Sequence, residues 1–497
     1  MQYDLIIIGA GPAGIATAEY FINSSKKVLI IESGNIEKIQ NYDSKNDDLI
    51  GDFSIDFEEE RKRAFFGTTS LWRKSGVGGT FWEFDFNDFQ KKDFLKWDIN
   101  YEEFKEIYNE AWSYLDIRPE KLNLLPNLKD IKLKRLAKKY SLKNASSFYT
   151  FGINYENFIL KKKKELINSK NIKLLFNTNL EEIILNKEKN VVEQIIASSE
   201  CDKQKFKFCS KNFVLAAGCF ENNRILINFN DRNNLNLESL GKYLTFHPSL
   251  SIGKINIKQN TFFCKNAIKK LNKVFVLKNK GDFKYNDLNY GITINPQFKQ
   301  PFIPKNILIK ISIIKDSLIK KNIQMFLSNI LDLFYSLEIL KYLVYKYRIF
   351  FINLSKLEIS ILFEHLPNSR SLMKINKKNN SIFIKSHLSK HNKKLLKSNI
   401  LKNQLILKNI FPEFISQNID LDKVNFETNN HHHGGTIIGK NKKGVVDKNL
   451  RVKNIKNLYV TGSSTFPNSS IYNPTLTIIA ISLRLSKHIF YKLSSLK

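Results

Sequence analysis

The sequence predicts a mixed α/β fold with more than one domain, and three observations support this. The chain has 497 residues, more than one core of ordinary size holds. Its first 32 residues follow a strand, glycine-turn, helix, strand pattern, and a similar strand, turn and helix recur after residue 213. Between residues 249 and 425 the pattern changes to short alternating segments, which is typical of antiparallel strands.

The first unit is a βαβ motif with a nucleotide-binding turn. An apolar run ends at Gly9, glycines follow at G-x-G-x-x-G spacing, and a helical pattern leads to a second apolar run ending before Glu32. This spacing allows a tight turn, a close approach to a pyrophosphate and helix packing, while Glu32 can accept from ribose hydroxyls. The residues predicted to contact a dinucleotide here are Gly9, Gly11, Pro12, Ala13, Gly14 and Glu32.

The charge of the chain is strongly positive, at +32 with a pI near 9.7. Such a charge often indicates nucleic acid or an anionic surface as a partner. Here the positive residues are mostly Lys scattered among Asn and Ile, and Arg-led patches with interleaved aromatic residues are absent. The sequence therefore predicts no nucleic-acid partner. A hydrophobic content of 42% also argues against disorder.

The cysteines and the N-terminus bear on the compartment. Cys201, Cys209, Cys219 and Cys264 form neither a C-x-x-C pair nor a zinc-type spacing, so we predict no metal site and a reducing environment. The chain enters a strand within five residues, which leaves no room for a cleavable leader, and no apolar run reaches membrane-spanning length. The expectation is a cytoplasmic protein.

A second glycine-rich stretch follows between residues 61 and 89. It is either a backbone-rich loop lying against a flat or phosphorylated ligand or an ordinary surface loop, and its own sequence does not separate these alternatives. The residues that could contact a ligand here are Gly67, Thr68, Thr69, Ser70 and Trp72. Residues 101–115 then have the pattern of an amphipathic helix.

The second strand, turn and helix unit lies at residues 213–224. Residues 213–217 are predicted to be a buried strand, Gly218 breaks it, and a helix is expected from Asn222. This unit would complete the sheet of a dinucleotide-binding domain. No second full G-x-G-x-x-G and no redox C-x-x-C are present, which argues against an NAD(P)H-dependent disulphide reductase.

The middle of the chain predicts a separate antiparallel domain with one helical stretch, residues 318–354. Asp332, Glu338 and Lys341 interrupt this stretch, so it is not a membrane span. It could lie on an anionic membrane surface or cover its own domain as a helix pair, and the packing interpretation is favoured because such faces usually serve packing.

The C-terminal stretch begins with HHHGGT at residues 431–436 and continues to Pro474. Together with the N-terminal motif it resembles the glucose-methanol-choline (GMC) family of flavin oxidoreductases, and the His431–His432 doublet is most similar to the sugar-oxidising branch. Weaker similarity recurs at residues 67–72, 213–224, 241–248 and 364–371. The resemblance implies a Rossmann-like FAD domain from residues 1–248 and 426–497, with an inserted substrate domain, a sheet flanked by helices, at 249–425.

The resemblance also implies site residues. His432 would be the catalytic base and Asn473 would orient the substrate and stabilise charge. The FAD contacts would add Ala217, Gly218, Gly462, Ser463, Pro474 and Thr475 to those already given. The chain departs from the family pattern at Ile437 and Ile438, and it has Leu71 where some relatives attach FAD through His. We therefore predict FAD held without a covalent bond.

The same residues have structural interpretations. In an extended segment, His431 and His433 would point away from the face that His432 occupies, so the triplet is a poor metal clamp. Asn473 before Pro474 is a natural helix N-cap followed by Pro at the first helical position.

The function expected from the resemblance is FAD-dependent oxidation of a CH–OH group in a sugar, sugar derivative or polyol, by proton abstraction and hydride transfer. A dehydrogenase is favoured over an oxidase, while the individual alcohol and the electron acceptor stay open. Two alternatives are a flavoprotein reductase that uses NAD(P)H or acts on a C=C bond, and a non-catalytic, basic surface-binding flavoprotein.

Overall fold

The structure is a computed structural model that describes residues 2–41, 46–71, 79–90, 96–116, 149–151, 153–256, 277–278, 290–299, 353–439 and 443–495. Within these ranges the α-helices are α1 Pro12–Ala18, α2 Phe57–Glu60, α3 Tyr101–Tyr114, α4 Ile153–Asn168, α5 Cys219–Asn233, α6 Lys390–Ile410 and α7 Thr475–Ser494. Short 3-10 helices lie at Glu19–Phe21, Gly67–Ser70, Phe86–Phe89 and Ser463–Thr465.

The strands of the same ranges are β1 Gln2–Ile8, β2 Val28–Ile31, β3 Gln40–Asn41, β4 Asp48–Gly51, β5 Phe53–Ser54, β6 Lys62–Arg63, β7 Gly79–Phe81, β8 Tyr149–Phe151, β9 Ile172–Leu175, β10 Thr178–Leu185, β11 Val192–Ser199, β12 Lys205–Leu215, β13 Lys242–Phe246, β14 Ser249–Asn256, β15 Leu277–Lys278, β16 Tyr290–Lys299, β17 Asn353–Phe363, β18 Leu372–Ile375, β19 Ile382–Ser386, β20 Phe414–Ser416, β21 Phe426–Glu427, β22 His432–Gly435 and β23 Leu458–Val460.

The largest sheet has seven strands in the order β10-β11-β12-β1-β2-β9, with β23 also paired to β12. The pairs of β1 with β2, β1 with β12, β2 with β9 and β12 with β23 are parallel. Strands from both ends of the chain therefore share one sheet. The predicted βαβ unit is confirmed, and so is the mixed α/β class.

Two helices cover one part of this sheet. Helix α1 packs against α7, and α7 is buried over most of its length because apolar and small residues occupy nearly all of its faces. Gly14 of α1 lies against the turn after β1, where a Cβ would be 1.9 Å from the carbonyl oxygen of Gly9. A residue with a side chain at position 14 would push the helix off the strand.

The other two large sheets belong to a second hydrophobic core. One has the order β22-β13-β18-β19-β4 and the other has the order β15-β16-β17-β14-β20. The antiparallel strands predicted after residue 249 are present among them, including β16, β17, β18 and β19. This core also includes Phe53, Phe57, Phe220 and Phe246, which precede residue 249. The residue bounds of the two predicted domains stay a prediction.

Two local predictions differ from the structure, and one helix was missed. The helix expected from Asn222 begins at Cys219, because Gly218 adopts φ 87° and turns the chain directly after β12. The strand expected over residues 213–217 runs from Lys205 to Leu215. Helix α6 was not predicted: its buried Leu396, Ile400 and Leu407 are spaced among lysines that face solvent.

Other predictions hold or fall outside the described ranges. The helix predicted at residues 101–115 is confirmed as α3, whose first turn is capped by the side chain of Asn100. The stretch 318–354 lies almost wholly outside the described residues. No helix in the described ranges is long and apolar enough to cross a membrane.

Candidate active site

A cleft of about 1210 Å³ lies at the carboxyl ends of four parallel strands, β1, β2, β12 and β23. Ligands of open α/β sheets bind at this edge, because the loops that follow parallel strands converge there. The predicted cofactor residues that line it are Gly9, Gly11, Pro12, Ala13, Glu32, Gly67, Thr68, Thr69, Ala217, Gly218, Gly462, Ser463, Pro474 and Thr475. Leu71, His431 and His432 line the same cleft.

The glycine-rich turn leaves open space where a ligand could approach. Gly11 has an extended backbone, with φ −74° and ψ −178°, and a Cβ built on it would meet no atom of the described residues within 4 Å. Gly67 packs close to this turn, because a Cβ on Gly67 would approach the Cα of Gly11 at 3.3 Å. Both glycines line the cleft and present backbone to it without a side chain.

Glu32 lies at the end of β2 and is buried. Its Oε2 accepts from the backbone N–H of Ala10 and its Oε1 accepts from that of Gly34, each at 2.7 Å. Burial raises the pKa of Glu32, and the two N–H donors oppose this rise. The predicted ribose acceptor thus also ties the second strand to the glycine-rich turn, a role that sequence spacing did not indicate.

The loop at residues 67–71 is held by hydrogen bonds between its threonine hydroxyls and backbone groups of preceding residues. Thr69 Oγ1 donates to the carbonyl oxygen of Phe66 at 2.7 Å, while Thr68 Oγ1 accepts from the backbone N–H of Lys62 at 3.2 Å. Ser70 is buried, and its hydroxyl has no hydrogen-bond partner among the described residues. Trp72 lies outside the described residues.

Asn222 connects three segments of the cleft wall, and sequence reasoning did not single it out. Its Oδ1 accepts from the backbone N–H of Ala217 at 2.9 Å. Its Nδ2 donates to the carbonyl oxygen of Thr461 and to Ser464 Oγ, each at 3.0 Å. The loops after β12 and β23 are therefore fixed to one another. The sequence feature that could have indicated this role is the position of Asn222 shortly after Gly218, on the first turn of α5.

The charges on the cleft wall are largely paired. Arg61 contacts both Asp47 and Glu221, and Arg224 contacts Glu221 at 2.5 Å. Burial of Glu221 opposes its ionisation, but Arg224 and Arg61 together hold its pKa at about 2. These guanidinium groups are therefore engaged by carboxylates within the protein.

The three histidines at 431–433 have three different surroundings. His432 contacts Glu60 and packs against Phe220, with ring centroids 4.4 Å apart. His433 is fully buried and stacks on Phe466 at 5.7 Å. His431 lies in the turn before β22, and its ring contacts His247, whereas His432 is the first residue of the strand and its ring contacts Glu60. Both residues line the cleft.

His432 is held by a buried carboxylate. Its Nε2 lies 2.6 Å from Oε2 of Glu60, and each side chain is 8% exposed. The hydroxyl of Thr428 also donates to this Oε2, at 2.5 Å. Glu60 comes from α2, just before the glycine-rich loop, and sequence reasoning missed it. The sequence signal for Glu60 is weak: it lies shortly before the predicted ligand loop at Gly67.

Burial disfavours protonation of the neighbouring histidines by lowering their pKa values. The Nδ1 atoms of His247 and His431 are 2.8 Å apart and their rings stack. Burial lowers the pKa of His247 to about 4, and burial also lowers that of His433 well below its usual range. Burial likewise lowers the pKa of His365 to about 4. Of the histidines that line the cleft, only His432 contacts a carboxylate among the described residues.

The turn at Gly434 and Gly435 depends on close packing. Gly435 has φ 87°, and a Cβ on it would lie 2.0 Å from Oδ1 of Asn223. Asn223 Nδ2 donates to the carbonyl oxygen of Gly434 at 3.0 Å. Helix α5 therefore fixes the end of β22 and, through it, the position of His432.

Asn473 differs from its prediction in one respect. The N-cap of α7 is Pro474 and the helix begins at Thr475, with no side-chain cap. The predicted capping role of Asn473 is therefore wrong. Pro474 occupies the N-cap position, and no side chain caps the first turn of the helix. Asn473 is half-buried, and within the described part of the chain it does not itself line the cleft, although the next two residues do.

Part of the chain is similar in sequence to known proteins. Residues 376–482 match the family model described as GMC oxidoreductase. The large subunit of fructose dehydrogenase from Gluconobacter japonicus is 45% identical over 60 residues, which cover 12% of this chain and 11% of that subunit. The resemblance to GMC oxidoreductases predicted from the sequence is confirmed.

Two solved structures are similar over almost the whole chain. Pyridoxine 4-oxidase from Mesorbium loti has a TM-score of 0.59 at 13% identity, covering 98% of this chain and 99% of that one. A formate oxidase variant from Aspergillus oryzae RIB40, studied for its effect on FAD modification, has a TM-score of 0.58 at 14% identity, covering 100% of this chain and 99% of that one. At these identities the similarity establishes a shared fold.

Proposed function

We propose that the protein is an FAD-dependent oxidoreductase that oxidises a CH–OH group of a sugar, sugar derivative or polyol. The observation that carries this proposal is the continuity of one cleft, which runs from the glycine-rich turn at Gly11 to the His432 side chain. Cofactor and reacting alcohol could meet within it. The GMC oxidoreductase match at residues 376–482 supports the reaction class.

The residues present fit FAD. Gly11 leaves open space beside the turn where a pyrophosphate could approach, and Glu32 offers carboxylate oxygens near the ribose position. Gly218 and Gly462 keep the loops after β12 and β23 free of side chains. When bound, FAD would supply the two-electron acceptor for the alcohol carbon.

The protein's own contribution to the reaction is proton removal. An alcohol is too weak an acid to lose its proton unaided at neutral pH, so a base must accept it as the C–H bond breaks. His432 lines the cleft and is the imidazole best placed for this, because His247 and His431 occupy each other and His433 is enclosed. We assign proton acceptance to His432.

A second assignment concerns Asn473. Its amide is uncharged and could donate to the oxygen that develops negative charge as the proton leaves. Its position beside Pro474 and Thr475, which line the cleft, supports this role.

The sugar assignment is the narrower part of the proposal. It is supported by the short match to a fructose dehydrogenase subunit and by the histidine doublet at 431–432. The test is an anaerobic screen of sugars, polyols and other alcohols for bleaching of the flavin absorbance. We expect bleaching by at least one sugar or polyol. Bleaching by NAD(P)H and by no alcohol would overturn the proposal.

The same sample decides the acceptor class. After anaerobic reduction, oxygen is admitted and the flavin spectrum is followed. We favour a dehydrogenase, for which the reduced form should persist and be reoxidised by a quinone or another added acceptor. Prompt reoxidation by oxygen would indicate an oxidase instead.

We also propose that FAD is held without a covalent bond. Leu71 lines the cleft at the loop position where some relatives of the predicted family have an attaching His, and its side chain has no nucleophile. Acid denaturation should therefore release all of the flavin into the supernatant. Flavin that precipitates with the polypeptide would contradict this.

A further inference from the structure

We propose that Glu60 is the positioning residue of His432, which fixes the imidazole tautomer and leaves Nδ1 as the atom that takes the substrate proton. This proposal rests on the proposed function for its catalytic meaning. The contact itself, between Glu60 Oε2 and His432 Nε2 at 2.6 Å, does not depend on any ligand.

The Glu60 carboxylate is held in place by other groups. Its Oε1 accepts from the backbone N–H of Asp56 at 3.1 Å, and its Oε2 accepts from the hydroxyl of Thr428 at 2.5 Å. Asp56 in turn caps α2 by accepting from the backbone N–H groups of Glu58 and Glu59. Both carboxylate oxygens are thereby fixed before His432 is considered.

The ring of His432 is restrained as well. It packs against Phe220 at 4.4 Å and lies edge-on to Phe246 at 6.1 Å. These contacts limit rotation of the ring, and Glu60 sets which nitrogen faces the carboxylate. A fixed ring with one nitrogen engaged offers only the other nitrogen to a ligand.

The tautomer follows from the chemistry of the pair. An ionised carboxylate only accepts hydrogen bonds, so the proton of neutral His432 must lie on Nε2, where it is donated to Glu60. Nδ1 then carries the lone pair. When the alcohol proton moves from the substrate oxygen to Nδ1, the resulting imidazolium stays beside the carboxylate, which stabilises its positive charge.

The other cleft histidine lacks this arrangement. His431 faces His247, and two neutral imidazoles can share one proton in either direction, so neither tautomer is imposed. The carboxylate contact therefore singles out His432 within the triplet.

The first test needs no flavin activity. Long-range nitrogen–proton NMR on histidine-labelled protein reports the tautomer of each ring, and the chain has only 8 His. The His432 signals are assigned by their loss in His432→Gln. We expect the Nε2–H form in the wild type and in Glu58→Gln, an exposed control on the same helix. In Glu60→Gln we expect a mixture or the Nδ1–H form.

The second test is kinetic, with a substrate from the alcohol screen. Glu60→Gln should bind FAD as tightly as the wild type but reduce it roughly 10- to 100-fold more slowly at saturating alcohol, part of the effect of a lost general base. Thr428→Val, which leaves the carboxylate but removes one donor to it, should show a smaller loss. Glu58→Gln should match the wild type.

The outcomes separate the two proposals. An Nδ1–H form of His432 in the wild type, or an unchanged tautomer and reduction rate in Glu60→Gln, would overturn the positioning role. If Glu60→Gln does not fold, the tautomer of His432 in the wild type decides the matter, because only the Nε2–H form is compatible with donation to Glu60. A wild type that no alcohol reduces, with the expected tautomer shift intact, would refute the proposed function and leave the contact standing.

Discussion

His247 and His431 stack with their Nδ1 atoms 2.8 Å apart, so that each imidazole occupies a hydrogen-bonding position of the other. Burial keeps His247 neutral, with a pKa of about 4, and His365 has a pKa of about 4 for the same reason. Folding therefore places several imidazoles where they resist protonation.

Stability should fall as the pH is lowered from about 6.5 towards 4. In this window unfolded imidazoles bind protons and the buried ones do not, so the unfolded state binds more protons and unfolding becomes easier in acid. For each histidine that folding keeps neutral, the free energy of unfolding should decrease by about 1.4 kcal/mol per pH unit once the pH is below the pKa of the unfolded imidazole. The measurement is the free energy of unfolding in urea between pH 7 and pH 5.

A variant pair tests the contribution of His247. His247→Phe keeps a flat ring beside His431 but removes the titrating group. The slope of the unfolding free energy against pH should therefore decrease by about 1.4 kcal/mol per pH unit, which corresponds to one proton. His391→Gln, at an exposed position of α6, should leave the slope unchanged. An equal slope in wild type and His247→Phe would mean that His247 is not held neutral.

His432→Ala should slow anaerobic flavin reduction by about 10²-fold or more, the scale of a lost general base, while FAD stays bound. His431→Ala is the matched control, because it removes an imidazole that lines the same cleft without a carboxylate contact. Stopped-flow absorbance at saturating alcohol measures the rate. Parental reduction by His432→Ala together with loss in His431→Ala or His433→Ala would show that the assignment within the triplet is wrong.

Gly11→Ala and Gly435→Ala should fail in different ways. A Cβ at Gly11 meets no atom within 4 Å, so this variant should fold like the wild type and lose affinity for FAD. A Cβ at Gly435 would overlap Asn223 at a φ of 87°, so that variant should be destabilised by roughly 1–3 kcal/mol or more. Urea denaturation of the apoprotein and FAD titration separate the effects. Tight FAD binding by Gly11→Ala would contradict the proposal that the cofactor lies against Gly11.

Asn473→Ala should slow flavin reduction without lowering stability. The side chain of Asn473 does not cap α7, so the loss of about 1 kcal/mol that is typical of a removed N-cap should be absent. Thermal unfolding of the apoprotein and the anaerobic reduction rate are measured on the same sample. A clear loss of stability with an unchanged reduction rate would assign Asn473 a structural role only.

The sequence by itself determined the elements whose causes are local. The apolar run before Gly9, the glycine spacing and the run at Val28–Ile31 specify a strand, turn, helix and strand through steric and hydrophobic rules that act over a few residues. The segment after residue 431 carried the family resemblance for a similar reason. Its motif is contiguous, so it could be recognised without knowing what it packs against.

The tertiary structure decided which side chains meet. Glu60 and His432 are 372 positions apart, and no spacing rule connects them; the contact exists because α2 and β22 are both packed around the second core. The same reason explains why the His431 ring meets His247 and not Glu60. Strand alternation predicts facing only inside a strand, and β22 begins one residue later, a boundary set by pairing with β13 rather than by the local sequence.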